Sequence, residues 1–338
     1  MSTYKNILFK SISFNNYKLI VIRDRDKYDI MNWRNQQIDV LRQSKPLTKE
    51  NQQEYFRDVV AKLFTEDYPK QYLFSVLYED KLIGYGGLVH IDWELRTAEI
   101  SFLTETARSK DSDLFINDWT SYLQLIKQFA NVYLNLREIY TYAYDLRPKL
   151  YVALDRAGFV LKQRIPKSIL INNIFVDVLI HNLSLPFLEF KRATEKEVDL
   201  YFNWANDTLV RENSFKKDLI SYDEHVKWFN QVIRDDNSYL LMFLFNNSPC
   251  GQVRIQKREE CVIGISIDQN YRGYGFATKM LVLATQEYFK LTHQKQIIAY
   301  IKETNKASLK SFQNAGFRIL NSEMIHDSLA YKLILKHE

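Results

Sequence analysis

Apolar segments of strand length recur along the chain in two halves, and segments of polar or helical spacing separate them in the same order. Each half opens with a strand, at 18–23 and at Leu188–Arg192, followed by a Trp-x-Asn phrase. A Thr or Ser before an acidic first turn comes next, which is the typical composition of a helix N-terminus. Each half continues with two apolar strands around a polar turn, which predicts a β-hairpin.

The second part of each half repeats as well. A further strand, at 98–102 and 262–266, precedes a long amphipathic helix, and each half closes with a strand, a helix and the phrase Ala-Gly-Phe. These shared landmarks predict a tandem duplication, and the alternative is one large α/β domain with coincidental matches. Each half is predicted to be a mixed sheet with helices on its faces. The boundary is predicted near Pro186, which gives domains 1–185 and 186–338.

The composition fits two folded domains and narrows the choice of partners. The chain has 338 residues, about twice the usual domain length, and 46% of them are hydrophobic. The net charge of +5 is dispersed and its basic stretches run into acids, which argues against nucleic-acid binding. The two cysteines lack partners at metal-ligand spacing, so no metal site or disulfide is predicted. No apolar run approaches ~18 residues, so no membrane contact and a cytoplasmic location are predicted.

Glycines at a strand-to-helix junction are the most specific chemical feature. In the second half, the strand 264–268 leads into Arg272, Gly273 and Gly275, and a helix begins near Thr278. Glycine lets the backbone turn tightly enough to direct several N–H groups at one point. The helix N-terminus beyond it adds free N–H groups and partial positive charge. A lone Gly-x-Gly turn is a weak indicator, but this context predicts a diphosphate-binding loop.

This junction resembles the GNAT superfamily of N-acetyltransferases, whose signature Gln/Arg-x-x-Gly-x-Gly/Ala is matched by Arg272, Gly275 and Ala277. The resemblance implies acetyl-CoA as cofactor and two GNAT-type α/β domains, each a mixed, mainly antiparallel sheet with helices on both faces. Asn305 and Ser308 resemble the family's Asn-x-x-Ser helix beside the pantetheine arm, although Asn305 also suits a helix N-cap. The implied cofactor-binding residues are Ile265, Ser266, Ile267, Arg272, Gly273, Tyr274, Gly275, Phe276, Ala277, Thr278, Asn305, Ser308 and Phe312.

The first half departs from this pattern. The segment 105–115, which follows the corresponding strand, contains no glycine. Without glycine the backbone cannot readily form the same loop, so either the loop is remodelled or this half binds no CoA. We expect the first domain to be a divergent GNAT-like domain that has lost CoA binding.

Acetyl transfer to an amine requires a deprotonated amine, a polarised thioester carbonyl and a thiolate that can leave. Many GNAT enzymes use a glutamate and a tyrosine, but Val262 and Phe312 occupy the aligned positions in the second half. Glu99 occupies the glutamate position in the first half. Three hypotheses follow. In the first, the second half uses His225 or Glu303 as base, or orients an amine that is already neutral. In the second, the first half is the catalyst. In the third, the first half contributes to the site of the second half.

The acceptor is predicted from a second resemblance. The second Trp-x-Asn phrase, Arg211, the helix of His225 and the phrase around Arg254 resemble the acceptor side of GNAT enzymes that acetylate amino sugars on nucleotide carriers. Asn206, Arg211 and Arg254 are therefore candidate substrate-binding residues. Alternatively, the tryptophans are core residues and Arg211 forms a surface ion pair. An Arg-rich, aromatic pocket suits a sugar nucleotide.

A small-molecule amine, foremost an amino sugar or sugar nucleotide, is the predicted acceptor. The first half resembles ribosomal-protein N-terminal acetyltransferases at 84–88 and 175–177, so a protein or peptide amine is the second candidate. Polyamines rank third because no acidic cluster is evident. A non-catalytic CoA-binding or scaffold module is the alternative from another class, favoured by the missing glutamate and tyrosine. The oligomeric state is open, and a homodimer is allowed.

Overall fold

Residues 3–5 and 7–337 are described by a computed structural model, in which the chain divides into two units between Pro186 and Phe187. The strands and α-helices of the first unit are β1 (Ser11–Phe14), β2 (Tyr17–Val21), α1 (Lys27–Gln36), α2 (Lys49–Tyr55), α3 (Ala61–Leu63), β3 (Tyr72–Tyr78), β4 (Lys81–Asp92), β5 (Thr97–Thr104), α4 (Thr106–Lys110), α5 (Ser112–Gln128), β6 (Glu138–Tyr144), α6 (Pro148–Arg156), β7 (Val160–Ile171) and β8 (Ile174–Ser184). Those of the second unit are β9 (Leu188–Arg192), α7 (Val198–Ala205), α8 (Thr208–Asn213), α9 (Tyr222–Ile233), β10 (Ser238–Phe245), β11 (Ser248–Lys257), β12 (Cys261–Ile267), α10 (Phe276–Leu291), β13 (Gln296–Lys302), α11 (Lys306–Asn314), β14 (Arg318–Ile325) and β15 (Ser328–Lys336).

Each unit is built around one mixed sheet. Within the described residues, the first sheet has eight strands in the order β1-β2-β3-β4-β5-β6-β8-β7, and the second has seven in the order β14-β15-β13-β12-β11-β10-β9. Neighbouring strands are antiparallel except β5–β6 and β12–β13, which are parallel. The long helices α5 and α10 bury apolar side chains. The predicted α/β fold with mixed, mainly antiparallel sheets is confirmed.

The hairpins of both units turn at pairs of residues with positive φ. Positive φ at both central positions matches the right-handed twist of the flanking strands, which selects Asn, Asp and similar polar residues. In the first unit this geometry closes β3–β4 and β7–β8, and in the second it closes β10–β11 and β14–β15. The pairs are 79–80, 172–173, 246–247 and 326–327.

The repeated Ala-Gly-Phe phrase ends α6 and α11. Its glycine has a φ of 86° at Gly158 and 95° at Gly316, the left-handed conformation that commonly terminates a helix. The amide of the following phenylalanine donates to the carbonyl five residues earlier, at 2.9 Å in the first unit and 3.0 Å in the second. Both phenylalanines are buried. The phrase therefore directs the chain from a helix back into the core.

The repeated Trp-x-Asn phrase also serves the fold. The Asn206 side chain donates to the Ile220 carbonyl and accepts from the Ile220 amide, both at 2.9 Å. Asn35 makes the same two bonds to Leu47, at 2.8 and 2.7 Å. In both units the bound residue directly precedes the N-cap of the next helix. This corrects the expectation that Asn206 contacts the acceptor, because both polar groups of its amide bind backbone.

The parallel strands of each sheet pair over only part of their length. In the second unit, β12 pairs with β13 only at Val262 and Ile298. In the first, β5 pairs with β6 at three positions that end at Glu99 and Tyr140. Beyond these positions the facing edges lose their ladder partners, so backbone N–H and C=O groups become free for a ligand. Such an edge can bind an extended amide chain through β-type hydrogen bonds.

Candidate active site

The glycine-containing loop of the second unit leaves a helix N-terminus open. Gly273 and Gly275 have φ values of 84° and 77°, where residues with a Cβ are disfavoured. Apart from the glycine itself and its two chain neighbours, no described atom lies within 4 Å of the position that a Cβ would take at either glycine. Gly275 is the N-cap of α10 and offers no side-chain oxygen, and the first turn of α10 contains no acidic residue. The first amides of α10 can therefore bind an external anion, which the helix dipole favours.

Arg272 lies beside this loop and is held by Asp207. The Arg272 Nη2 donates to Asp207 Oδ1 at 2.5 Å, and the same carboxylate caps α8 by accepting from the Val210 amide at 3.1 Å. Burial opposes ionisation of Asp207, but the hydrogen bonds from Arg272 and the backbone outweigh it and lower the pKa of this carboxyl. Asp207 thus positions the Arg272 guanidinium, whose remaining N–H groups can donate to a phosphate.

A cavity of about 1070 Å³ adjoins the loop within the second unit. Its volume lies just above the range of roughly 300–1,000 Å³ that is usual for ligand pockets, so it has room for an extended ligand. The cavity brings together most of the residues predicted for cofactor and acceptor. Those that line it are Arg211, His225, Arg254, Ile265, Ser266, Ile267, Arg272, Gly273, Gly275, Phe276, Ala277, Thr278, Asn305, Ser308 and Phe312.

Three of the predicted residues of the second unit do not line the cavity: Asn206, Tyr274 and Glu303. The Tyr274 side chain projects into solvent and is 61% exposed. Lys302, the last residue of β13, lines the cavity, whereas Glu303 lies in the turn that follows the strand and does not. The Glu303 carboxylate accepts from the Tyr331 hydroxyl at 3.3 Å. The structure therefore does not bring Glu303, one of the two candidate bases, into the cavity.

The start of α11 forms another wall of the cavity. Asn305 is the N-cap of this helix, and its Oδ1 accepts from the Ser308 amide at 3.1 Å. The predicted N-cap role and a position on the cavity therefore coexist. Phe312 is buried, with its ring centroid 5.0 Å from that of Phe317. Because phenylalanine has no hydroxyl, this position supplies no proton for a leaving thiolate.

The cavity wall carries basic side chains and no carboxylate. The lining residues include Arg254, Lys302 and Lys310 besides the arginines already described, and none of them is Asp or Glu. The Arg254 guanidinium lies 5.3 Å from the Trp228 ring centroid, and no carboxylate among the described residues pairs with it. Burial lowers the pKa of Arg254. This excess of positive charge favours anionic or neutral polar ligands over polycations.

Two other basic residues of the wall bind backbone carbonyls. Lys302 Nζ donates to the carbonyls of Glu212 at 2.9 Å and Ser214 at 2.5 Å. The Arg211 guanidinium donates to Ser214 Oγ at 3.1 Å and to the Asp218 carbonyl at 3.3 Å. The bonds hold the segment after α8 as a wall of the cavity. Arg211 makes no ion pair with the described carboxylates. The alternative in which Arg211 forms a surface ion pair is therefore not what the structure contains.

His225 occupies a structural position. Its Nε2 lies 3.1 Å from the Val198 carbonyl oxygen, which only accepts, so Nε2 carries the proton. In the first unit, Gln52 Nε2 donates to the Lys27 carbonyl at 2.8 Å. Both residues lie four positions after a helix N-cap, and both carbonyls belong to the first residue of an earlier helix. Burial lowers the pKa of His225, which keeps the imidazole neutral.

The corresponding junction of the first unit is already occupied by negative charge. Asp111 is the N-cap of α5, and its Oδ1 accepts from the Leu114 amide at 2.9 Å. Asp113 lies in the first turn of the same helix. Asp111 satisfies one of the first amides of α5, and both carboxylates oppose the partial positive charge of this helix N-terminus. An external anion is therefore less favoured at the start of α5 than at the start of α10.

Basic side chains from α6 lie against α5 in the first unit. Arg147 holds the N-cap position of α6, which Asn305 holds in α11, and its guanidinium lies 5.6 Å from the Trp119 ring centroid. Burial lowers the pKa of Arg147 to about 10. Lys149 Nζ lies 4.4 Å from the Phe115 ring centroid and donates to the Ser109 carbonyl at 2.5 Å. These contacts lie where α5 packs on α6, which is equivalent by chain order to the packing of α10 on α11 beside the cavity of the second unit.

Glu99 is buried in the first unit and accepts a hydrogen bond from Arg42. Burial raises the pKa of Glu99, and the charge of Arg42 opposes this rise. The Arg42 guanidinium also lies 4.4 Å from the Tyr142 ring centroid. Glu99 therefore has a charge partner of its own, in the unit without the glycine loop.

Among the described residues, no group of three or more His, Cys, Asp and Glu side chains is arranged to hold a metal ion. None of the helices in 3–5 and 7–337 combines the length and the apolar content that crossing a membrane requires.

Comparison with known families matches both units. Residues 19–180 and residues 188–318 each match a family described as an acetyltransferase (GNAT) domain. The splayed sheets and these matches define an acyltransferase that uses acetyl-CoA. The chain belongs to the GNAT superfamily of N-acetyltransferases and carries two GNAT domains in tandem. It is 29% identical over 150 residues to YfmK of Bacillus subtilis (strain 168), an uncharacterized N-acetyltransferase, which covers 44% of this chain and 96% of YfmK.

Solved structures with a similar fold include other acetyltransferases. Spermidine N-acetyltransferase from Vibrio cholerae, in complex with CoA and spermine, is 17% identical, with a TM-score of 0.45, over 51% of this chain and 96% of that one. The aminoglycoside acetyltransferase AAC(6')-Ib, in complex with coenzyme A, is 14% identical, with a TM-score of 0.39, over 44% of this chain and 94% of that one.

The polar lining residues that were missed in the sequence include Gln252 and Lys302. Gln252 lies two positions before Arg254, and alternate residues of a strand share a face. That spacing could have identified Gln252 once Arg254 was a candidate. Lys302 gives no such signal, because its contacts are with the backbone of a segment about 90 residues earlier in the chain.

Proposed function

We propose that the second unit transfers the acetyl group of acetyl-CoA to the primary amine of an amino sugar or sugar nucleotide. The main support is the cavity wall, which combines basic side chains with no carboxylate. Such a wall disfavours a polyamine and suits an amine on a neutral or anionic carrier. Arg254, which has no carboxylate partner, is free to bind hydroxyl or phosphate oxygens of that carrier.

The residues of the second unit fit acetyl-CoA. The open N-terminus of α10 and Arg272 would hold the diphosphate, and the free edge of β12 at Ile265–267 would bind the pantetheine amides. When bound, acetyl-CoA supplies an activated acyl group with a thiolate as leaving group. Asn305 and Ser308 line the cavity beside α10 and shape the far side of this channel.

The chain contributes orientation and desolvation to the reaction. The cavity offers no carboxylate base. His225 uses Nε2–H within the fold, and its Nδ1, the nitrogen that could accept a proton, is buried. The wall residues therefore bind an amine that is already neutral and hold its nitrogen toward the thioester carbonyl carbon. A C–N bond forms, the C–S bond breaks, the amine loses a proton to solvent and the thiolate takes one from solvent. Positioning alone can contribute several kcal/mol to such a two-substrate reaction, on the order of 7–11.

This mechanism predicts how the rate depends on pH. The value of kcat/KM should rise with pH and level off above the pKa of the acceptor amine, because only the neutral amine attacks. A His225 base would instead give a rise below its ordinary pKa of about 6.5, because burial lowers that pKa. Profiles are measured with two acceptors whose amines differ in pKa. A rising limb that stays at the same pH for both acceptors would contradict the proposal.

His225→Gln is expected to retain catalysis, because glutamine supplies the donor that Gln52 supplies in the first unit. The turnover number should stay within roughly tenfold of wild type, whereas loss of a general base costs about 10²–10⁴-fold. Steady-state kinetics measure this. His225→Ala, which removes the bond to the Val198 carbonyl, serves as control and should lower the Tm. A large loss of turnover in a fully folded His225→Gln protein would restore His225 as the base.

We propose further that the first unit binds no CoA and is not the catalyst. The carboxylate cap of Asp111 and the packing of Arg147 against α5 support this. Calorimetry should therefore give one CoA site per chain, and Glu99→Gln should leave turnover unchanged. Because Glu99→Gln weakens a buried ion pair, its unfolding temperature is measured in parallel. Two CoA sites per chain would show that the first unit binds CoA. A large fall in turnover in a folded Glu99→Gln protein would show that the first unit takes part in catalysis.

An acceptor panel tests the substrate class. Thiol release from acetyl-CoA is measured with free amino sugars, amino-sugar nucleotides, peptides with free N-termini and spermidine. We expect turnover with the amino sugars and their nucleotides, and the slowest reaction with spermidine. Preference for peptides would support the protein N-terminal acetyltransferase instead. Tight CoA binding without turnover of any acceptor would support a non-catalytic CoA-binding module.

A further inference from the structure

One face of the second sheet is polar where it borders the cavity. Gln252 and Arg254 alternate along β11 and pair in register with Ser266 and Gly264 of β12. Residues directly opposite each other in an antiparallel pair share a face, so the four form a two-by-two patch, here called the polar patch. All four line the cavity. The intervening residues of β11 are buried on the other face, at Val253 and Ile255.

The polar patch has hydrogen-bonding capacity that the protein does not use. Gln252 Nε2 donates to Ser266 Oγ at 3.2 Å, but Gln252 Oε1 is buried and has no partner among the described residues. An unsatisfied buried acceptor costs about 1–3 kcal/mol, so such a group indicates a missing partner. Arg254 adds guanidinium donors that no carboxylate uses. A ligand could therefore supply one donor, for Gln252 Oε1, and at least one acceptor, for Arg254.

The geometry of the patch leaves room for a ring. Gly264 has no side chain, and a Cβ there would lie 3.9 Å from Arg254 Nη2, its nearest neighbour. The Arg254 guanidinium is supported by Trp228, at 5.3 Å from the ring centroid. A ligand can therefore approach the sheet closely at Gly264 while the arginine stays fixed beside it.

We propose that the polar patch recognises the hydroxyl groups of the acceptor's sugar ring through hydrogen bonds. This inference rests on the function proposed above. One ring hydroxyl donates to Gln252 Oε1, and an adjacent ring oxygen accepts from Arg254. A hydroxyl both donates and accepts, so neighbouring hydroxyls satisfy both sides of the patch. A phosphate or carboxylate at this place would satisfy Arg254 but would leave Gln252 Oε1 without a donor. Gln252 is thereby assigned as a specificity-determining residue.

The test combines a variant with substrate analogues. Kinetics are measured for wild type and Gln252→Leu, with the best amino sugar of the panel and its series of monodeoxy analogues. In wild type, removal of the hydroxyl that donates to Gln252 should lower kcat/KM by at least about tenfold, because the site's acceptor is then left unpaired. Gln252→Leu should lower kcat/KM for the parent sugar by a similar factor. The variant should no longer distinguish the parent from that analogue.

Gln256→Leu is the matched control. Gln256 continues the alternation along β11 but lies outside the cavity, and its side chain donates to Ser238 Oγ at 3.1 Å. This variant should distinguish the analogues as wild type does. The inference is overturned if the folded Gln252→Leu protein distinguishes every analogue as wild type does. If the wild-type protein acetylates none of the amino sugars, the proposed function itself is overturned. This result is obtained before any variant is made.

Discussion

Gly275→Asp is expected to raise the Kd for CoA by at least about 10²-fold. Aspartate places a carboxylate at the N-terminus of α10, where the diphosphate is proposed to bind. Two unit charges about 4 Å apart repel by ~4 kcal/mol at an effective dielectric constant of 20, and salt reduces this. Because each 1.4 kcal/mol changes Kd about tenfold, a loss of two orders of magnitude remains after screening. Calorimetry with purified protein measures it directly.

Gly275→Asn is the matched control for this charge. Asparagine has nearly the shape of aspartate, and both residues tolerate the left-handed conformation that Gly275 adopts, at φ 77°. The difference between the two variants therefore isolates the carboxylate from the effect of a Cβ in the loop. Equal Kd values for Gly275→Asp and Gly275→Asn would show that charge at this position does not matter and that the diphosphate binds elsewhere.

Arg254→Met is expected to raise the KM of the acceptor by about 10–100-fold while the KM of acetyl-CoA stays near its wild-type value. Hydrogen bonds to a charged group contribute roughly 1.5–3 kcal/mol, and methionine retains much of the apolar volume beside Trp228. Initial-rate kinetics with each substrate varied in turn give the two KM values separately.

Arg258→Met is the control for the loss of one positive charge. Arg258 lies in the turn between β11 and β12 and does not line the cavity. It should leave both KM values unchanged. If Arg254→Met raised the KM of acetyl-CoA and spared that of the acceptor, Arg254 would belong to the cofactor site, and the proposed acceptor site would lose its main cation.

The duplication and the glycine loop could be predicted from sequence because their physical causes are local. Positive φ at Gly273 and Gly275 is a property of single residues, and strand alternation spans only a few positions. Contacts between distant positions were not predictable in this way. Glycine was absent from 105–115, but nothing in that segment indicated that Arg147 and Lys149 would lie against α5.

Asn206 and His225 both bind backbone of their own unit, which the sequence motif did not predict. Polar side chains on helices can face a ligand or the backbone of their own unit, and a motif does not distinguish the two. The internal repeat carried the missing information. Asn35 and Gln52 stand at the equivalent positions and make equivalent backbone bonds in a unit without the glycine loop. Histidine and glutamine share a donor but not a titratable group, which indicates that the position requires the donor.

The carboxylate of Asp207 has a consequence for how the binding of one substrate affects the binding of the other. It bonds both the start of α8, whose residues Leu209 and Val210 line the cavity, and Arg272 beside the glycine loop. A ligand that displaces the Arg272 side chain therefore changes the hydrogen bonding of Asp207 at the start of α8. Movement of α8 likewise changes the hydrogen bond that positions Arg272. Linkage requires any such effect to be mutual, so occupancy of one subsite alters the affinity of the other by the same factor in both directions.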